Sequence, residues 1–271
     1  MTVLLGDVVV ALEGFYPLAW AQSWDAVGLV VGDPSAVVRK VLFAVDPVEA
    51  VVAEAAERGA DLLITHHPLY LRGTSTVAAT DAKGRSVHRL IAGGCALYVA
   101  HTNADVACPG VSDALAAAVG LLDLRPLRPM SADAGEQRGL GRIGRLPEPL
   151  TVAELTTRVA GALPATSWGV RASGDPLKVV ETLAVCGGAG DDLLREAADA
   201  GADAFLTADL RHHPASEAPE GLALLDAAHW ATEWPWLLEV AARIADATTV
   251  DTAVSTLVTD PWTTHARSTT P

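Results

Sequence analysis

The chain has 271 residues, of which 50% are apolar and 19% charged. That is enough to bury one large core or two of ordinary size, and it excludes a disordered or fibrous protein. The formal net charge of −14 disfavours nonspecific binding to nucleic acid, and three cysteines (Cys95, Cys108, Cys186) with no C-x-x-C pair argue against a disulfide scaffold or an all-cysteine zinc module.

The segment Met1 to Leu12 carries Asp7 and no basic residue, so it lacks the charged start of an export signal. No uninterrupted apolar run reaches the length of about 18 residues that a spanning helix needs. A cytoplasmic protein with no membrane partner is the expectation, and the unpaired cysteines agree with a reducing compartment.

Two stretches read alike. Val41 to Pro68 is VLFAVDPVEAVVAEAAERGADLLITHHP, and Thr182 to Leu210 is TLAVCGGAGDDLLREAADAGADAFLTADL. Each has a short apolar run, an Ala-rich charged stretch, then Gly-Ala-Asp and a second apolar run ending in Thr. Unalternating apolar runs suit strands buried on both faces, and Ala, Glu and Arg suit the helix between them. Gly59 and Gly201 sit where such helices need a left-handed ending.

Each unit continues in the same alternation. Residues 84–92 read as a helix and 95–100 as a strand; 222–226 read as a strand, 234–246 as a helix and 252–258 as a last strand. This predicts an α/β fold of two similar lobes from an internal repeat, with parallel or mixed sheets flanked by helices. Between them, residues 125–149 hold four prolines (126, 129, 147, 149) and four glycines (135, 139, 141, 144) and read as loops. The boundary is therefore placed there, with lobes at 1–125 and 126–271. A helix over 150–162 follows, with Thr151 as cap and Glu154 as its capping-box partner.

Four of the eight histidines follow predicted strands directly or within a few residues. His66 and His67 follow DLLIT; His101 follows CALYVA, with Asp105 four residues on; His229 follows LALLDA, with Glu233 four residues on. The carboxyl ends of strands form the ligand crevice in sheets of this kind. Imidazoles and carboxylates suit zinc, manganese, iron or nickel, and a carboxylate can bridge two ions about 3.5–4 Å apart. A two-metal site is possible from residue types alone.

Other readings compete. A His-His-Pro turn also suits a surface loop, and His212-His213-Pro214 is a second such triplet. Aligning the repeats sets Thr65-His66-His67 opposite Thr207-Ala208-Asp209, which makes Asp209 a pocket-lining residue. His88 falls in a helix and His265 in a Pro/Thr-rich tail, away from the site. Gly187-Gly188-Ala189-Gly190 reads either as a phosphate cradle or as a tight strand-to-helix turn. The tryptophans 20, 24, 230, 234 and 236 read as core or interface packing.

Four blocks carry a resemblance to the Nif-three-like family of dinuclear metal-binding proteins, whose members bear the name GTP cyclohydrolase I type 2 homologue. They are Trp24-Asp25-Ala26-Val27-Gly28-Leu29; ITHHPL from Ile64; AHTNAD from Ala100 with Gly110-Val111-Ser112-Asp113-Ala114-Leu115; and AVCGGAG from Ala184 leading to DAAHWATE from Asp226. Ala26 and Ser112 stand where the family usually has asparagine. The resemblance implies two divalent ions held by His66, His67, Asp105, His229 and Glu233 in a cleft between two α/β lobes, with His101 beside them. It also implies a homohexameric ring, and a short form without the domain that longer members insert between the lobes.

Two functions follow as expectations. One is a metal-dependent hydrolase of a small nucleotide-like or phosphorylated substrate, with His101 and Glu233 as catalytic groups. The other is a non-catalytic metal-binding scaffold or interaction ring.

Overall fold

The computed structural model describes residues 2–130 and 137–266. The chain divides into two compact units: Met1–Ala107 with Leu237–Thr259, and Cys108–Trp236 with Asp260–Pro271.

The first unit opens with α1 (Leu5–Phe15), which turns Leu5, Val8 and Leu12 inward. Then come β1 (Gly28–Val31), β2 (Lys40–Ala44), α2 (Glu49–Glu57), β3 (Leu62–Thr65), α3 (Ala82–Ala92), β4 (Ala96–Val99) and the single turn α4 (Thr102–Asp105). The second unit holds α5 (Val111–Val119), β5 (Leu122–Pro129), β6 (Gly139–Thr151), α6 (Val152–Ala162), β7 (Val170–Ala172), β8 (Val179–Ala189), α7 (Leu194–Asp199), β9 (Ala204–Ala208), α8 (His212–Ser216) and β10 (Ala223–Ala227). Helix α9 (His229–Thr248) begins in the second unit and ends in the first, where β11 (Asp251–Val254) follows.

The first sheet has the order β1-β4-β3-β2-β11, with β2, β3, β4 and β11 parallel and β1 antiparallel at the edge. The second has the order β5-β6-β8-β9-β10-β7, with β8, β9 and β10 parallel and β7 antiparallel at the edge. The predicted duplication is visible in this wiring. In each unit three parallel strands joined by helices lie side by side, and an antiparallel edge strand caps the third. The strands ending near Thr65 and Thr207 are the middle members of their triplets. Strands β2, β3, β4, β9 and β10 are buried almost throughout, because helices cover them.

Local expectations hold where the chemistry is local. Gly59 and Gly201 adopt φ of +62° and +84°, the left-handed region that ends α2 and α7 without a Cβ penalty. Thr151 Oγ1 accepts from the Glu154 amide at 3.2 Å, and the Glu154 carboxylate accepts from the Thr151 amide at 2.8 Å, so α6 starts with a full capping box.

Two expectations are corrected. Residues 125–149 are not a loop-rich junction: outside 131–136, which fall outside the described residues, they form β5 and β6, paired from Leu122↔Arg145 to Pro129↔Gly139. Pro126 and Pro129 are accommodated because β5 is an edge strand, where a missing amide need not break a ladder. Gly139 and Gly144 are required by closeness: a Cβ at Gly139 would lie 2.3 Å from the Arg128 carbonyl, and one at Gly144 would lie 2.6 Å from the Leu122 carbonyl. The division consequently falls at 107/108 and not at 125/126, since β5 and β6 belong to the second sheet, and 237–259 return to the first unit.

Beneath β6, Arg142 is 1% exposed. Its guanidinium meets the Asp113 carboxylate twice at 2.7 Å and gives Nη1 to the carbonyls of Gly139 and Gly141. Asp113 also accepts the Gly110 amide at the start of α5, so one ion pair, buried on its arginine side, ties a helix start to a strand.

Candidate metal centre

In the first unit the polar residues gather at the carboxyl ends of β2, β3 and β4. His66 and His67 leave the end of β3, and His101 precedes α4 after β4. One ring nitrogen from each of His66, His67 and His101 lies within 4.8 Å of the others. His66 Nε2 stands 3.6 Å from Asp105 Oδ1.

The other ring nitrogens explain how this set is aimed. His66 Nδ1 bonds the Ala100 carbonyl at 2.9 Å, His67 Nδ1 the Asp46 carboxylate at 2.7 Å, and His101 Nδ1 the Asp25 carboxylate at 2.8 Å. Carbonyls and ionised carboxylates only accept, so each Nδ1 carries a proton and Nε2 is the nitrogen left to face a ligand. Metal-binding histidines are oriented in this way. Asp25 also receives the Thr102 amide and hydroxyl. Burial pushes its carboxyl up, but these bonds and His101 outweigh burial and hold it well below the usual carboxylate range. Asp46 is held from its other oxygen by Thr259.

In the second unit His229 and Glu233 face each other across one turn at the start of α9, with Nε2 and Oε1 2.9 Å apart. His229 Nδ1 bonds Asp209 Oδ2 at 2.7 Å, the same device at the end of β9. The Glu233 charge pushes His229 up to about 11; Asp209 adds to this and burial opposes it. The spot between His229 and Glu233 therefore favours positive charge, which is the electrostatic requirement of a cation site.

The glycine run now has a reading. Gly188 has φ +66°, and a Cβ there would lie 2.5 Å from Glu233 Oε1 and 3.0 Å from His229 Nε2. Its amide donates to Thr232 Oγ1 at 2.9 Å, and its carbonyl accepts from Thr207 Oγ1 at 2.8 Å. A Cβ at Gly190 would lie 2.7 Å from Thr207 Oγ1. The glycines let the strand end approach the His229–Glu233 pair; close approach, not a phosphate cradle, accounts for them.

The donor set fits a transition metal on this chemistry: oriented imidazoles, nearby carboxylates, and space at Gly188 that a side chain would close. His66, His67, Asp105 and His101 are brought together in the first unit, and His229, Glu233 and Asp209 in the second. His101 joins the nitrogen cluster with His66 and His67. His212 and His213, exposed on α8, meet edge to face and belong to no metal-competent group among the described residues. His88 is exposed on α3, and His265 packs edge-on to Trp168. Of the tryptophans, Trp230 and Trp236 are buried and Trp24 is exposed.

Sequence reasoning missed Asp25 and Asp46 as the anchors of His101 and His67. Asp25 lies inside the Trp24–Leu29 block, which was the available signal; Asp46 had none beyond its place after β2.

Comparison with known proteins agrees with these features. The family model Duf34/NIF3 (NGG1p interacting factor 3) matches residues 3–261. A Streptomyces coelicolor protein named GTP cyclohydrolase 1 type 2 homolog is 57% identical, the match covering 97% of this chain and 95% of that one. A Mycobacterium leprae protein of the same name is 37% identical over 375 aligned positions, covering 98% of this chain and 97% of its own, so it carries residues this chain lacks. The crystal structure of a Bacillus cereus protein related to NIF3 superposes with a TM-score of 0.89 at 26% identity, covering 96% of this chain and 99% of that one. The chain belongs to the Duf34/NIF3 family.

Proposed function

We propose that the protein binds two divalent transition-metal ions through His66, His67, Asp105, His229 and Glu233 and is a metal-dependent hydrolase of a small nucleotide-like or phosphorylated substrate. The observation that carries this reading is the shared construction of the histidines, each with Nδ1 fixed by an acceptor and Nε2 turned to its neighbours. The name borne by the Streptomyces and Mycobacterium relatives, GTP cyclohydrolase 1 type 2 homolog, is consistent with a nucleotide-like substrate.

Ions bound there supply acidified water and offset negative charge at an attacked centre. The chain's own part is orientation and proton handling. Asp25 fixes the ring of His101, so His101 holds or delivers a proton at Nε2. Asp209 does the same for the ring of His229, and the Glu233 carboxylate stands opposite His229 Nε2. We further propose assembly into a homohexamer in the cytoplasm; no helix among the described residues is long and apolar enough to cross a membrane.

The test is turnover of a panel of nucleotides and phosphoesters by as-purified protein whose metal content has been measured. The expected result is about two ions per chain and hydrolysis that is abolished by chelation and by Glu233→Gln. A protein that keeps its ions and its oligomer but turns over nothing on the panel is a scaffold, and the hydrolase reading falls.

A further inference from the structure

Next to the metal histidines the first unit contains a pocket of about 570 Å³. His67 forms part of its wall, so it adjoins the nitrogen cluster. Its volume falls within the usual range for small-molecule sites, about 300–1,000 Å³. Two loops and one helix build it. Pro47, Val48 and Ala50 come from the turn into α2, Pro68 and Leu69 from the turn after His67, and Ala82, Lys83 and Ser86 from the first two turns of α3. The walls are mostly apolar, as sites that take a ring are.

Besides His67, four polar side chains interrupt that lining, and they differ in how far they are committed. The Glu49 carboxylate is clamped by Arg85 through two bonds of 2.9 Å, with Arg89 at 3.2 Å. Asp46 is taken up by His67 and Thr259. The Glu49 charge is offset by its arginines, and both Asp46 oxygens are already engaged by His67 and Thr259. Lys83 is different: it makes no ion pair among the described residues, and its ammonium stands 5.6 Å over the Tyr70 ring. Ser86 is 1% exposed overall and lines the pocket one turn on from Lys83.

Lys83 and Ser86 are three residues apart on α3, so they lie on one face of the helix and form a polar strip opposite Pro47, Val48 and Leu69. The strip sits near the helix start, where amide dipoles favour negative charge. We propose that this pocket is a binding subsite for a flat ring carrying an anionic group, the ring lying against Pro47, Val48 and Leu69 and the anion meeting Lys83 and Ser86. The assignment rests on the hydrolase reading for its role as a substrate site, since the pocket adjoins His67; its ability to bind such a ligand does not depend on turnover.

The probe is phenylphosphonate, which joins ring and anion and cannot be hydrolysed to phosphate. It is titrated calorimetrically into the full chain as purified and again with chelator present. Methylphosphonate and phenol serve as the anion without the ring and the ring without the anion. The expected result is saturable binding of phenylphosphonate with the same affinity in both conditions, and both partial probes at least about tenfold weaker. Lys83→Ala and Ser86→Ala should each weaken phenylphosphonate by about tenfold, the scale of one lost charge-assisted bond, and leave phenol unchanged. Val48→Trp, at an exposed wall position, should abolish phenylphosphonate binding by filling the pocket and leave methylphosphonate unchanged. Binding that disappears with chelator places the ligand on the ions and overturns the proposal, as does binding that all three substitutions leave intact, or no binding to the unaltered chain. If the chain binds phenylphosphonate as expected but hydrolyses nothing, the hydrolase reading fails and the pocket stands.

Discussion

The two units present the same donor pattern at the same place in the repeat, on different local structures. After the third parallel strand of each triplet comes a histidine followed four residues later by a carboxylate: His101 and Asp105 after β4, His229 and Glu233 after β10. Each histidine has Nδ1 on an aspartate, Asp25 in one and Asp209 in the other. Yet α4 is a single turn with His101 just before it, whereas α9 runs for 20 residues with His229 and Glu233 inside its first turns. The middle strands differ too. Thr65-His66-His67 adds two imidazoles at the position where Thr207-Ala208-Asp209 supplies the anchor of His229. The repeat fixes where a donor can stand, and the individual residue fixes whether it is aimed at an ion or used to hold its neighbour.

The largest expected effect tests what is particular to the second unit. Arg142→Ala leaves the part-buried Asp113 without its cation and empties the space of a 1% exposed side chain, and should cost about 3 kcal/mol, read as a lowered midpoint in urea unfolding. Arg142→Ala together with Asp113→Ala should recover part of that loss, because the stranded charge is gone. A change below about 1 kcal/mol for the single substitution contradicts a fully engaged pair built on a buried guanidinium.

The anchoring aspartates test the likeness of the two halves directly. Asp46→Asn, which loosens the ring of His67, and Asp209→Asn, which loosens that of His229, should each weaken metal binding by about 10- to 100-fold, measured by competition with a chromogenic chelator, while the far-ultraviolet circular dichroism stays unchanged. Equal losses support equivalent roles; a loss confined to one restricts the orienting role to that unit.

A smaller effect separates local from tertiary stabilisation. Thr151→Ala should cost about 1 kcal/mol at neutral pH through the lost cap. The Thr151 amide, then its hydroxyl, hold the Glu154 carboxyl below its usual value. A depressed folded value means this contribution is fully present above the ordinary glutamate value of about 4.3 and fades as pH falls through the folded one. The gap between Thr151→Ala and the unaltered chain should therefore narrow below about pH 4.

The smallest effect involves no loss at all. Burial, with Asp61 adding, pushes the Cys95 thiol up to about 12, so it remains protonated and unreactive near pH 8. Iodoacetamide should label exposed Cys108 first and reach buried Cys95 and Cys186 only after denaturation. Labelling of Cys95 in the folded chain contradicts its placement under α3.

The α/β alternation, the two glycine-ended helices and the Thr151 capping box were legible because each is set by residues within a few positions of one another. His66, His67 and His101 were legible because strand ends converge at one edge of a parallel sheet. What was not legible depends on distant neighbours. Pro126 and Gly144 carry a loop signal, but an edge position and a close partner strand make them strand residues. Asp25 holds His101 from 76 positions away. The parallel pairing of β11 with β2 joins the end of the described chain to its beginning, and no local pattern encodes it.

That pairing bears on the order of events during synthesis. All strands of the second sheet leave the ribosome before β11 exists, so the nested unit can form its sheet while β2 still lacks one neighbour. Once residues 108–236 are folded, the flexible length separating the two parts of the first unit shrinks, and the entropy of closing that loop shrinks with it. Until then β2 keeps an open strand edge, which is a template for wrong pairing with another nascent chain. A chain halted before residue 251 would expose this edge permanently, which makes premature termination near the C-terminus an aggregation hazard out of proportion to the few residues lost.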